Sequence, residues 1–122
     1  MYGESCSNLV VVQKSVDLTK TIYKLAELMP LKEKYFLTEK LILSSFDIHC
    51  KIADGHAAFS AKVCRYRMEE ARRLNSDVRK YLIRCLRRGY FSESQIEYPL
   101  SLCKEIDELL EEYIKNIPEE QQ

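Results

Sequence analysis

Apolar positions recur at alternating steps of four and three along most of the chain, the periodicity of amphipathic helices. Val11, Ser15, Leu18, Ile22, Leu25 and Met29 mark one seam, predicting a helix over about Leu9–Met29. Pro30 ends it, because proline disfavours helical geometry in the residue before it. A second helix is predicted from about Glu33 to Asp54 with two adjoining stripes. Leu37, Leu41, Ser44, Ile48 and Ile52 form one, and Ile42, Phe46, His49, Ala53 and His56 the other. So wide an apolar face suits a helix buried on two sides, as in a bundle that also self-associates. Gly55 is the expected stop or kink.

The third helix is predicted over about Ser60–Arg88, roughly 40 Å long at 1.5 Å per residue. Its seam is Cys64, Met68, Ala71, Asn75, Val78, Leu82 and Cys85. Asn75 is a lone polar seam position, of the kind that fixes register. The fourth helix opens on the strongest local signal: Ser92 and Gln95 form a capping box, with Phe91 and Ile96 at the staple positions. Pro99 then predicts either a kink or a division into two helices. Pro99, Cys103, Ile106, Leu110, Tyr113 and Ile117 carry the seam onward to Pro118.

Short connections place successive helices antiparallel, so the predicted fold is all-α, an up-down-up-down four-helix bundle. One domain over 9–117 accommodates the 122 residues, with flexible arms expected at 1–8 and 118–122. Only three Gly and three Pro, with 46% hydrophobic residues, disfavour disorder and turn-rich all-β folds. The longest apolar run, Leu9–Val12, is far too short for a membrane span. Met1–Ser7 lacks the basic start of a signal peptide. Five cysteines without close pairing point to a reducing compartment, and a cytoplasmic location is expected. Four of the five are expected to be small core residues.

Charge changes this picture. The formal net charge is zero, yet ten of the 27 residues from Lys62 to Arg88 are basic and three acidic. Residues 89–122 hold nine acids and two lysines, while 1–61 balance. Such asymmetry points to a polyanionic partner or a charge-matched neighbour. On a helical wheel Arg65, Arg72, Arg73, Arg79, Lys80, Arg84 and Arg87 are expected opposite the apolar seam, with Arg67 along it. These seven are the candidate nucleic-acid contacts. Counterion release along such a face would supply most of the affinity. Tyr66, Tyr81 and Tyr90 are interleaved for base stacking, favouring single-stranded or structured RNA. The opposing reading is that helix three is neutralised by the acidic helix four, within a subunit or across an oligomer, at about 0–1 kcal/mol per surface pair. The residues alone leave these readings balanced.

Catalytic chemistry is sparse. Neither histidine follows a Glu by three residues, as bundle di-iron sites require. His49 and His56, seven apart, are better read as core or interfacial histidines than as zinc ligands. No nucleophile elbow, phosphate loop or zincin motif occurs. The expectation is a non-enzyme without metal or cofactor.

Several segments resemble a known family in order and spacing. They are Val12-Gln13-Lys14, Asp17-Leu18, Tyr23-Lys24-Leu25, Pro30, Tyr35-Phe36-Leu37-Thr38, Ile52-Ala53-Asp54-Gly55 and Gly89-Tyr90-Phe91-Ser92. Over about 9–117 the chain is similar to the four-helix-bundle proteins encoded in intervening sequences of bacterial 23S ribosomal RNA genes. Val78-Arg79-Lys80-Tyr81-Leu82-Ile83-Arg84 resembles the third helix of a relative in the same superfamily, the accessory variability protein of diversity-generating retroelements. The resemblance implies a homopentameric barrel of bundles. In the retroelement case it implies a protein that binds a reverse transcriptase and its template RNA without catalysing copying. Arg72, Arg79, Lys80, Arg84 and Arg87 are the positions it would carry over as nucleic-acid contacts.

Overall fold

The computed structural model describes residues 9–119. Helices α1 (Val10–Ala26), α2 (Leu37–His56), α3 (Ala61–Arg87) and α4 (Glu93–Lys115) make up nearly all of it, with a 3₁₀ turn at Leu31–Glu33. Each helix packs on the next in sequence, and α4 closes the ring against α1. This is the expected all-α four-helix bundle, and the described residues include no strand. Leu18, Ile22, Leu41, Ile48, Ile52, Met68, Leu82, Leu102, Ile106 and Leu110 fill its centre. Burying each such side chain is worth about 1.5–3 kcal/mol. The arm expected at 1–8, with Cys6, lies outside the described residues, as does most of the expected C-terminal tail.

Local chemistry sets the helix ends. Ser60 caps α3, its hydroxyl accepting the Val63 N–H at 3.1 Å. Ser92 caps α4 with both arms of the predicted box in place. After α3, Gly89 adopts a φ of 79°. The Tyr90 N–H then reaches the Cys85 carbonyl at 2.9 Å and the Gly89 N–H the Leu86 carbonyl at 3.0 Å. That paired closure satisfies two carbonyls the helix would leave open, and it favours glycine at the left-handed position.

Several expectations need correction. Helix α1 ends at Ala26 instead of Met29, because Glu27, Leu28 and Met29 donate three residues back and tighten the last turn. Helix α2 begins at Leu37 instead of Glu33, since Phe36 leaves helical geometry at φ −125° and ψ −102°. Gly55 is the penultimate residue of α2, which ends one position later at His56 with Ala57 as its C-cap. It lies buried inside α2 where that helix meets α3. Pro99 does not divide α4, which runs unbroken around it, and its ring is fully buried. Ser45, not Ser44, takes the buried seam position of α2. Two cysteines, Cys85 and Cys103, are buried; Cys50 and Cys64 are only half-buried, so the expected four core cysteines are not all core.

Candidate nucleic-acid interface

Helix α3 buries Met68, Ala71, Asn75, Val78, Leu82 and Cys85, most of the predicted seam. The seven candidate cations around it divide into two groups. Arg65 is half-buried, its guanidinium 3.5 Å from the carbonyls of Ile117 and Pro118 just beyond α4. Arg72 is half-buried against α4, with Nε 3.0 Å from Asp107 Oδ1 and Nη2 3.5 Å from Oδ2. Neither belongs to a face opposite the seam. The wheel gives azimuth but not the position of α4, which covers that flank.

Arg73, Arg79, Lys80, Arg84 and Arg87 are exposed. None makes an ion pair with another described residue. Tyr66, Arg73, Lys80 and Arg87 stand seven residues apart and so form one stripe along α3, with Arg84 beside it. Lys80, Arg84 and Arg87 rim a recess floored by Ile83. Arg79 is set toward α4, at the edge of a groove between the two helices.

The expected aromatic interleaving is largely undone. Tyr66 is exposed, with the Arg67 guanidinium 5.5 Å over its ring. Tyr81 packs against the core. The Tyr90 hydroxyl is held by Glu33 Oε2 at 2.8 Å, where Arg88 Nη1 also donates at 2.9 Å. Sequence reasoning missed Glu33 altogether, because its partners lie more than fifty positions away. Arg67 pairs with Glu70 at 2.8 Å and so is also separate from the basic stripe.

Neutralisation by α4 is therefore confined. Asp107 takes Arg72, and Glu105 takes Lys14 of α1 at 3.3 Å. No α4 carboxylate pairs with the five exposed cations among the described residues.

The histidines occupy different surroundings. His56 Nδ1 lies 2.9 Å from the Tyr113 hydroxyl at one end of the bundle. His49 meets the Phe46 ring edge-on at 4.9 Å, and burial lowers its pKa. Among the described residues no three His, Cys, Asp or Glu side chains cluster for a metal ion.

The second α2 stripe extends into surface. Leu43 and Phe46 are exposed and Ile42 is half-buried. Ile42 and Leu43 share a shallow apolar depression with Tyr23 of α1 and Tyr35. No helix of the described residues is long and apolar enough to cross a membrane.

The sequence pattern of the family described as 23S rRNA-intervening sequence protein matches residues 7–112. The chain belongs to that family. A crystal structure of a protein of unknown function from the S23 ribosomal protein family of Bacteroides thetaiotaomicron superposes with a TM-score of 0.81 at 22% identity. The match covers 88% of this chain and 100% of that one, and at this identity it concerns the fold. No curated protein matches the chain.

Proposed function

We propose that this family member is a non-enzymatic, homo-oligomeric protein that binds RNA through the exposed cations of α3. The observation that carries the reading is the group Arg73, Arg79, Lys80, Arg84 and Arg87, exposed and without ion pairs to described residues. A group of cations that outnumbers the acids beside it, Glu69 and Asp77, along one helix suits a polyanion. Electrophoretic retention of a single-stranded RNA tests it. Arg79→Glu combined with Arg84→Glu abolishes retention while helicity is kept; unchanged affinity in the double variant refutes the proposal.

A second reading is favoured by the exposed apolar surface of Tyr23, Tyr35, Leu43 and Phe46. There the chain is first an oligomerisation module, and RNA binding is absent from every assembly state. Sedimentation with and without RNA separates the two. The finer role, a cytoplasmic partner that presents template RNA to a retroelement reverse transcriptase, rests on the Arg79–Arg84 resemblance. Co-purification with a reverse transcriptase encoded beside the gene tests it.

A further inference from the structure

We infer that the groove between α3 and α4 is a subsite for one unstacked nucleobase, selective for a base carrying an exocyclic amino group. The inference rests on the RNA-binding reading and deepens it. The groove has a volume of about 600 Å³, within the usual range of small-ligand pockets. Ile83 and Leu100 supply apolar walls, and Asn75, Asp107 and Glu108 supply acceptors.

The decisive group is Asn75, 3% exposed. Its Nδ2 donates to the Cys103 carbonyl at 2.8 Å, which fixes the amide orientation and turns Oδ1 into an acceptor. That oxygen is buried with no hydrogen-bond partner among the described residues. A buried polar atom left unpaired is costly, so a ligand that supplies a donor gains the difference. Because Oδ1 is sealed from solvent, a base reaches it only as the groove wall shifts.

The groove is of mixed charge, with Arg79 and Lys104 lining it beside the carboxylates of Asp107 and Glu108, and Asp107 is already held by Arg72. Glu108 is left to accept from an amino group. Arg79 stands at its edge. Ile83 is common to the groove and to the recess of Lys80, Arg84 and Arg87. A strand whose phosphates lie on those cations therefore has the groove within reach of a base turned inward. Cytosine presents its 4-amino group to the acceptors, whereas uracil sets a carbonyl oxygen against them.

The test uses fluorescence anisotropy at neutral pH and fixed salt with three labelled strands of equal length: oligo(C), oligo(U) and an abasic phosphodiester. The full chain is expected to bind oligo(C) about tenfold more tightly than oligo(U), and the abasic strand most weakly. Asn75 is a core residue, so the groove is instead blocked by Ser101→Trp, from an exposed position on its α4 wall. That variant is expected to equalise oligo(C) and oligo(U) while abasic binding stays unchanged. Equal affinities in the unaltered chain, or a preference that survives Ser101→Trp, overturn the subsite but not RNA binding. Absence of binding to all three strands overturns both.

Discussion

Glu33 ties three parts of the chain together through one carboxylate. Oε1 accepts the Leu37 N–H at 3.4 Å at the start of α2, while Oε2 accepts from Arg88 and Tyr90 beyond α3. The Tyr90 hydrogen bond, followed by the Leu37 N–H and the Arg88 charge, holds its pKa below the ordinary 4.5, against the opposing effect of burial. A carboxylate whose pKa falls on folding stabilises the fold above its unfolded value, and that stabilisation is lost as pH drops through the folded value. Glu33→Gln is therefore expected to lower Tm at neutral pH, with the difference from the parent chain shrinking progressively below pH 4.5. Thermal melts across that range check it, and a difference independent of pH would refute the assignment. Burial also raises the Cys85 thiol to about 11 and the Cys103 thiol to about 12. Both stay protonated at neutral pH and react slowly. Little at this scale was legible in the sequence, since Glu33 reads there as one more helix-surface acid.

Among the elements, α2 and α3 approach closely because Gly55 has no side chain. A Cβ there would lie 3.0 Å from Met68 Cε, 3.1 Å from Arg67 Cβ and 3.2 Å from the Cys64 carbonyl oxygen. The Met68 terminus can swing away, but the other two belong to the body of α3. Gly→Ala inside a helix normally stabilises by about 1 kcal/mol. Here Gly55→Ala is expected to destabilise instead, by about 1–3 kcal/mol from overpacking, as a fall in the urea midpoint. Ser92→Ala removes the cap of α4 and is expected to cost about 1 kcal/mol in the same assay. The cap was legible because its residues are local in sequence. The role of Gly55 was not, because a glycine near a helix end looks the same whether it terminates the helix or admits a neighbour. Pro99 read alone leaves a kink and a division both open, and the division is excluded because α4 continues through the proline, whose ring is packed in the core.

At the level of the molecule, periodicity alone gave the four helices and most of their buried faces. The charged surface was only half legible. Arg73, Lys80, Arg84 and Arg87 stand where the wheel puts them, but Arg72 is held by α4 and Arg65 by the segment just after it. Under the proposed RNA binding, five exposed cations on a single strand are expected to give a salt dependence of about −3.5 in log K against log salt at most, at about −0.7 per phosphate. Arg84→Gln is expected to lessen that slope by about 0.7, whereas Arg72→Gln leaves it unchanged and lowers thermal stability through loss of the Asp107 pair. Titrations at several salt concentrations distinguish them. For the apolar surface, Leu43→Glu with Phe46→Glu is expected to shift sedimentation toward the monomer without unfolding the bundle.

The unbroken course of α3 makes it a ruler. Arg73 and Arg87 are fourteen residues apart, so their backbones are separated by about 21 Å along the axis. A stacked strand advances about 3.4 Å per nucleotide, so under the proposed RNA binding one protomer would span about six nucleotides. Affinity should climb with oligonucleotide length up to that footprint. Under the proposed self-association, further gain beyond it would come from a second protomer, and the length at which a second rise begins would report how far apart neighbouring α3 helices stand.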